Sequence, residues 1–213
     1  MTHSFDEDYW DQIWTGERAV AMSTAEPNPH LIKEIGGLEP GTAIDAGCGA
    51  GAEAVWLATQ GWTVTAADIA APALAVAEER AVAAAVGGQV EWVQADLSIW
   101  EPNTRFDLVT THYAHPAMPQ LEFYDRIASW VAAHGTLLIV GHLHHHGTGD
   151  QPHEHERPHP PAEASATATA ITARLDPATW ELVTAEESQR TMAGPDGRPT
   201  TIADVVVRAT RRP

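Results

Sequence analysis

The sequence predicts an open α/β fold: a mostly parallel sheet with helices on both faces. Three observations predict it. Short apolar segments alternate with helix-length segments from residue 42 to residue 140. A glycine-rich turn, Gly47-Cys48-Gly49-Ala50-Gly51, joins the first apolar segment to the helix after it. Acidic residues recur at or just past the ends of three successive strand-like segments, at Asp45, Asp68 and Asp96.

The elements follow in order. Residues 5–14 read as a helix that places Tyr9, Trp10, Ile13 and Trp14 within reach of one face, and 30–35 as a second helical piece after Pro27 and Pro29. Gly36-Gly37 stops it. Strand 42–45 leads through the glycine turn into helix 51–60, and strand 62–67 ends at Asp68. Pro72 suits the first turn of an alanine-rich helix reaching Ala85. Strands at 89–94 and 106–111 follow, then a helix over 119–133 and a strand over 135–140. Strand, helix, strand at this spacing implies right-handed crossovers in a parallel sheet. Beyond Gly141 the pattern breaks into a His/Pro-rich loop over 142–161, then an alanine/threonine helix ended by Asp176-Pro177. Residues 180–190 and 201–208 read as a terminal antiparallel hairpin turning at Gly194-Pro195-Asp196-Gly197.

Length and composition set the bounds. At 213 residues the chain suits one domain, 1–213, with 1–37 as an N-terminal helical segment. A hydrophobic fraction of 44 % and eight tryptophans fit a globular protein. No apolar run approaches the length of a membrane span, and the acidic start Phe5-Asp6-Glu7-Asp8 lacks a signal-peptide layout. With a single cysteine, Cys48, no internal disulfide forms, and a cytoplasmic location is the simplest reading. Twelve Lys and Arg against 29 Asp and Glu give a formal charge of −17, a field that repels phosphate backbones and argues against a nucleic-acid partner.

In an open parallel sheet, ligands bind at the carboxyl ends of the strands. Glycines at 47, 49 and 51 let backbone approach a ligand closely there. Asp68 is placed to accept the hydroxyls of a ribose, and Asp96 to accept from an adenine amino group. Each feature alone has a plain structural reading, as a tight connection or a helix cap. Three in register point to a nucleotide-like ligand. The turn also fits a dinucleotide fingerprint through Gly47-x-Gly49-x-x-Ala52. Two observations favour S-adenosylmethionine over NAD. Asp45, two residues before the first glycine, suits an ammonium, which a pyrophosphate lacks. The tryptophan-rich lead is unneeded by a dinucleotide domain.

Four stretches carry a family resemblance: Ala43-Ile44-Asp45-Ala46-Gly47-Cys48-Gly49-Ala50-Gly51, Val64-Thr65-Ala66-Ala67-Asp68-Ile69, Gln94-Ala95-Asp96-Leu97 and Phe106-Asp107-Leu108-Val109. With them the chain resembles class I S-adenosylmethionine-dependent methyltransferases. Through Tyr9-Trp10-Asp11-Gln12-Ile13-Trp14 and Pro27-Asn28-Pro29-His30-Leu31 it looks like their thiopurine/tellurite-resistance branch. The resemblance implies a Rossmann-like seven-stranded sheet in the order 3-2-1-4-5-7-6. It implies S-adenosyl-L-methionine as cofactor, held by Asp45, Gly47, Cys48, Gly49, Gly51, Asp68, Ile69, Asp96, Leu97 and Thr111. The N-terminal segment, with Trp10 and Trp14, is then a lid over it. One departure is Ala70, where a hydroxyl residue is common two places after the second-strand acid.

The acceptor side is less defined. Thr111-His112-Tyr113-Ala114-His115-Pro116 follows the fourth strand, and His112 and His115 are the candidate bases. A soft S, Se, Te or As nucleophile needs no base, whereas a hydroxyl does. In the loop, His142, His144 and His146 form a candidate site for a divalent metal such as Zn, Ni or Cu. Without a cysteine partner or an i, i+4 ligand pair, adventitious binding is the preferred reading there. Two further readings stay open: an O- or N-methyltransferase of specialised metabolism with metal in that loop, and a cofactor- or metal-binding protein without turnover. A small-molecule acceptor is expected; the oligomeric state is undetermined.

Overall fold

The computed structural model describes residues 5–143, 166–193 and 199–213. It holds α1 (Glu7–Thr15), α2 (Glu17–Ser23), α3 (Pro29–Ile35), β1 (Thr42–Ala46), α4 (Ala52–Thr59), β2 (Thr63–Asp68), α5 (Ala71–Ala83) and β3 (Val90–Gln94). Then come β4 (Phe106–His112), α6 (Gln120–Ala128), β5 (Val131–His142), α7 (Ala168–Thr172), β6 (Trp180–Ala193) and β7 (Pro199–Arg211). The seven strands form one sheet in the order β3-β2-β1-β4-β5-β7-β6. β1 to β5 run parallel, and β7 and β6 close the edge antiparallel. The expected order and hairpin are therefore observed.

Local chemistry explains most element ends. The Asp6 side chain accepts the Tyr9 amide at the start of α1, and Asn28 accepts the His30 amide at the start of α3, where Pro29 takes the first helical position. Gly51, with φ of 73°, caps α4 in the left-handed region. A Cβ there would come within 2.8 Å of both Ala77 and Trp92, so the glycine seats α4 against α5 and β3.

The sheet is buried on both faces, as period-two alternation requires. On β5, Leu137 and Ile139 join Phe123, Ile127 and Trp180 on one side, while Leu138 and Val140 join Leu31, Leu57 and Val64 on the other. Each such fully buried side chain contributes about 1.5–3 kcal/mol.

Two elements differ from expectation. The helix expected over 119–133 ends at Ala128, and Val131 already pairs with Phe106 as the first residue of β5. Trp130-Val131-Ala132-Ala133 is apolar throughout and fits either state alone. Burial of Trp130 and Val131 in the core, with His134 at φ of 65° and a register shift against Phe106/Leu108, decides for a bulged strand. The N-terminal lead also holds a third helix, α2, between the two expected. Among the described residues no helix is long and apolar enough to cross a membrane. Of the His/Pro-rich loop, only residues 142 and 143 lie within the described residues.

Candidate functional site

The carboxyl ends of β1, β2, β3 and β4 open into one cavity of about 980 Å³. Its floor is the β1–α4 turn; α1 and the α2–α3 connection form one wall, and the residues after β4 form the far end. Such a volume lies at the top of the usual range for small-molecule pockets, about 300–1,000 Å³.

The glycine turn is shaped for close approach. Gly47 has φ of 84°, and a Cβ on it would meet Ala114 at 2.3 Å. Gly49 has φ of 50°, and its Cβ would sit 2.8 Å from the Trp14 ring. The indole of α1 thus rests directly on the turn. Asp68 ties the turn to β2, its two oxygens accepting the amides of Gly49 at 2.8 Å and Ala70 at 3.0 Å. A carboxylate has about four acceptor positions, so two remain for a ligand diol. Burial pushes the Asp68 carboxyl up despite the opposing amides. At the end of β3, Oδ1 of Asp96 accepts both the amide and the hydroxyl of Ser98. Ile69 and Leu97 line the cavity beside these acids.

Asp45 is the unusual group. It is 1 % exposed, and among the described residues neither carboxylate oxygen has a hydrogen-bond partner. His112 Nδ1 stands 3.9 Å from its Oδ1, beyond hydrogen-bond length, and neither His112 nitrogen is otherwise bonded among the described residues. Burial therefore raises the Asp45 carboxyl, with His112 opposing, and Glu53 and Asp68 add to the rise. Leaving such groups unpaired costs roughly 1–3 kcal/mol each, more when charged. Asp45 is not on the cavity surface; Gly47 and His112 adjoin it and are. Cys48 lines the cavity as a thiol, since burial pushes it well above its ordinary value.

Besides Asp45, two expected contacts do not reach the cavity surface. The Thr111 hydroxyl donates to the Ala46 carbonyl at 2.7 Å and is fully buried. Gly51 faces Ala77 and Trp92 instead. Trp10, Trp14, Gly47, Cys48, Gly49, Asp68, Ile69, Asp96, Leu97, His112 and His115 all line the cavity.

The two candidate bases separate. His112 belongs with Asp45. His115 lies at the far end, 5.7 Å from the Phe5 ring centroid, and its Nδ1 is 3.2 Å from Gln120 Oε1. Gln120 is 3 % exposed and donates through Nε2 to the Ala114 carbonyl at 2.9 Å. That bond orients the amide with Oε1 toward the imidazole, so Nδ1 carries the proton and Nε2 the lone pair.

A polar network unseen in the sequence completes this end. Tyr113, at φ of 55°, donates its hydroxyl to Asp204 at 2.9 Å and accepts from Asn28 at 3.1 Å and Arg190 at 3.0 Å. Asp204, fully buried on β7, also meets Arg190 Nε at 2.7 Å and His30 Nε2 at 3.2 Å. Burial raises the Tyr113 phenol above its ordinary value. The one legible signal was Asp204 within the apolar strand Ile202-Ala203-Asp204-Val205-Val206-Val207, since a carboxylate there must be paired.

The His142 ring stacks on Tyr113 with centroids 4.2 Å apart. His144 and His146 lie outside the described residues. Among the described residues, no group of three or more His, Cys, Asp or Glu side chains is arranged to hold a metal.

Comparison with known proteins agrees with this architecture. Residues 43–135, a little under half of the chain, match the family model of a methyltransferase domain. A curated relative, ribosomal RNA small subunit methyltransferase C from Alcanivorax borkumensis, is 49 % identical over 41 residues, 19 % of this chain and only 13 % of that protein. Two solved structures share the whole fold. One concerns conversion of a disulfide bond into a thioacetal group during echinomycin biosynthesis; it has a TM-score of 0.70 and 20 % identity, covering 97 % of this chain and 91 % of that one. The other, a TehB-like S-adenosylmethionine-dependent methyltransferase from Corynebacterium glutamicum, has a TM-score of 0.58 and 18 % identity over 97 % and 98 % of the two chains.

Proposed function

We propose that this protein transfers a methyl group from S-adenosylmethionine to a small-molecule acceptor. The observation that carries the reading is the buried, unpartnered Asp45 carboxylate behind the glycine turn, with Glu53 and Asp68 nearby in the cavity wall. This negative floor matches a ligand with a sulfonium and an ammonium, and it opposes a pyrophosphate. Asp45 acts on the amino-acid end from behind Gly47 and His112, Asp68 takes the ribose, and Asp96 with Ile69 and Leu97 the adenine. Helices α1 and α2 act as the lid, with Trp14 on Gly49 and Trp10 beside it.

When bound, the cofactor supplies an activated methyl group. The chain's own task is to align the acceptor and exclude water. His115 Nε2 takes the proton from an acceptor that arrives protonated, whether thiol or hydroxyl. A soft sulfur acceptor, or its Se, Te or As counterpart, is the favoured class. The sulfur chemistry of the echinomycin neighbour and the TehB-like fold support it. The oriented His115 favours one second reading, an oxygen or nitrogen acceptor that needs a base. A net charge of −17 supports a small-molecule acceptor over a nucleic acid.

Titration calorimetry with S-adenosylmethionine, S-adenosylhomocysteine and NAD tests the cofactor, and a methyl-transfer screen across thiols, metalloids and phenols tests the acceptor. Binding of both adenosyl compounds and not NAD is expected. Heat from NAD alone overturns the reading.

A further inference from the structure

Among the described residues Arg190 is the one arginine or lysine lining the cavity, beside the residues that follow β4. Its position is fixed from one side. Nε donates to Asp204 and one terminal nitrogen to the Tyr113 hydroxyl, so the edge shared by those two nitrogens is committed. A guanidinium has five N–H donors in a rigid fork, so three remain, two of them along its terminal edge. Among the described residues nothing accepts from the other terminal nitrogen. The side chain is 28 % exposed, while the Asp204 that anchors it is fully buried.

The hydrogen bonding of Asp204 does not rest on Arg190 alone. Tyr113 already donates to Oδ1, and His30 lies 3.2 Å from Oδ2. Arg190 lines the same cavity as Phe5, His115, His142 and Ile202. A fork held at one edge and open at the other is suited to bidentate capture of a carboxylate or a similar planar oxyanion.

We propose that Arg190 is the specificity-determining residue for the acceptor and selects a molecule carrying a carboxylate on an apolar or aromatic body. This rests on the methyltransferase reading for its chemistry, since it names the acceptor class of the same site. Asp204 and Tyr113 are positioning residues for the guanidinium, and the aromatic wall takes the apolar body. The nucleophile of the acceptor lies at the end remote from the carboxylate.

The test uses phenylacetate and its neutral isostere phenylacetamide as probes, titrated into the full chain saturated with S-adenosylhomocysteine. Wild type is expected to prefer the carboxylate at least tenfold. Arg190→Met is expected to erase that preference while leaving S-adenosylhomocysteine affinity within threefold. Equal binding of the two probes to wild type, or a preference that survives in Arg190→Met, overturns the proposal. Should Arg190→Met fail to fold, Arg190→Lys keeps the charge and loses the fork; a preference reduced severalfold is then expected, and an unchanged one overturns it. S-adenosylhomocysteine binding is measured separately. If it is absent, the methyltransferase reading fails, and the probe comparison on ligand-free protein still decides the role of Arg190.

Discussion

The Asp45 carboxylate shows how a single residue couples stability to ligand. Burial raises it from an ordinary value near 3.8, so the folded chain holds its proton to higher pH than the unfolded chain does. The sign follows: stability falls as pH rises through the window between those two values. Asp45→Asn removes the buried charge. The ligand-free variant is expected to melt above wild type at neutral pH, while the rise in Tm on adding S-adenosylhomocysteine shrinks; thermal melts at several pH values, with and without ligand, check both. For His115, replacement by Gln keeps a polar side chain without a titrating lone pair. A fall of about 10²- to 10⁴-fold in kcat is expected with an acceptor that must lose a proton, together with loss of the rising limb of the pH–rate profile. An acceptor added as a preformed thiolate should be far less affected. At this scale the sequence made the acids and glycines visible, because their spacing is local to one strand–turn–helix unit. It could not separate His112 from His115, three residues apart, because Asp45 and Gln120 sort them from different elements.

At the scale of elements, the N-terminal lead is held by contacts that no local pattern announces. Helix α2 has only seven residues, too few to persist without tertiary support. Arg80 on α5 supplies part of it, donating to the carbonyls of Ser23 at 3.0 Å and Ala25 at 2.8 Å. Gln94 donates to Glu7 at 3.0 Å, and the Asn28 amide donates to Glu53 at 3.0 Å. Arg80→Ala is expected to speed amide exchange over residues 17–28 roughly five- to tenfold, the effect of losing about 1 kcal/mol of local hydrogen bonding, with little change in the β1–β4 amides. Exchange monitored by mass spectrometry checks it. The first three strands were legible because each runs into an acid or a glycine, and β4 because Asn103 and Pro116 bracket it. The start of β5 was not, because Trp130 and Val131 fit either period and only Phe106, 25 residues earlier, claims Val131 for the sheet. Helix α2 was missed for the converse reason: Glu17-Arg18-Ala19-Val20-Ala21-Met22-Ser23 has no strong apolar face.

Across the whole molecule, a charge of −17 on 213 residues sets a background of self-repulsion. Raising ionic strength from about 0.01 M to about 1 M shortens the screening length from about 30 Å to about 3 Å. The Tm of the ligand-free chain is expected to rise over that range in sodium chloride, as scanning calorimetry would show; a fall would mean that attractive ion pairs outweigh the repulsion. The sheet order as a whole was readable from the alternation of elements together with the family resemblance. The cavity's polar far end was not, because Asn28, Tyr113, Arg190 and Asp204 come from four separate parts of the chain. That distribution has a consequence for how the protein changes over time. The acids and glycines of the proposed donor site fall within residues 45–97, whereas Arg190 and Asp204 are carried by the closing β6–β7 hairpin. Under the proposed roles, mutation or exchange of that hairpin retunes which molecule is modified while residues 45–97 stay untouched, so the two halves of the site can change separately.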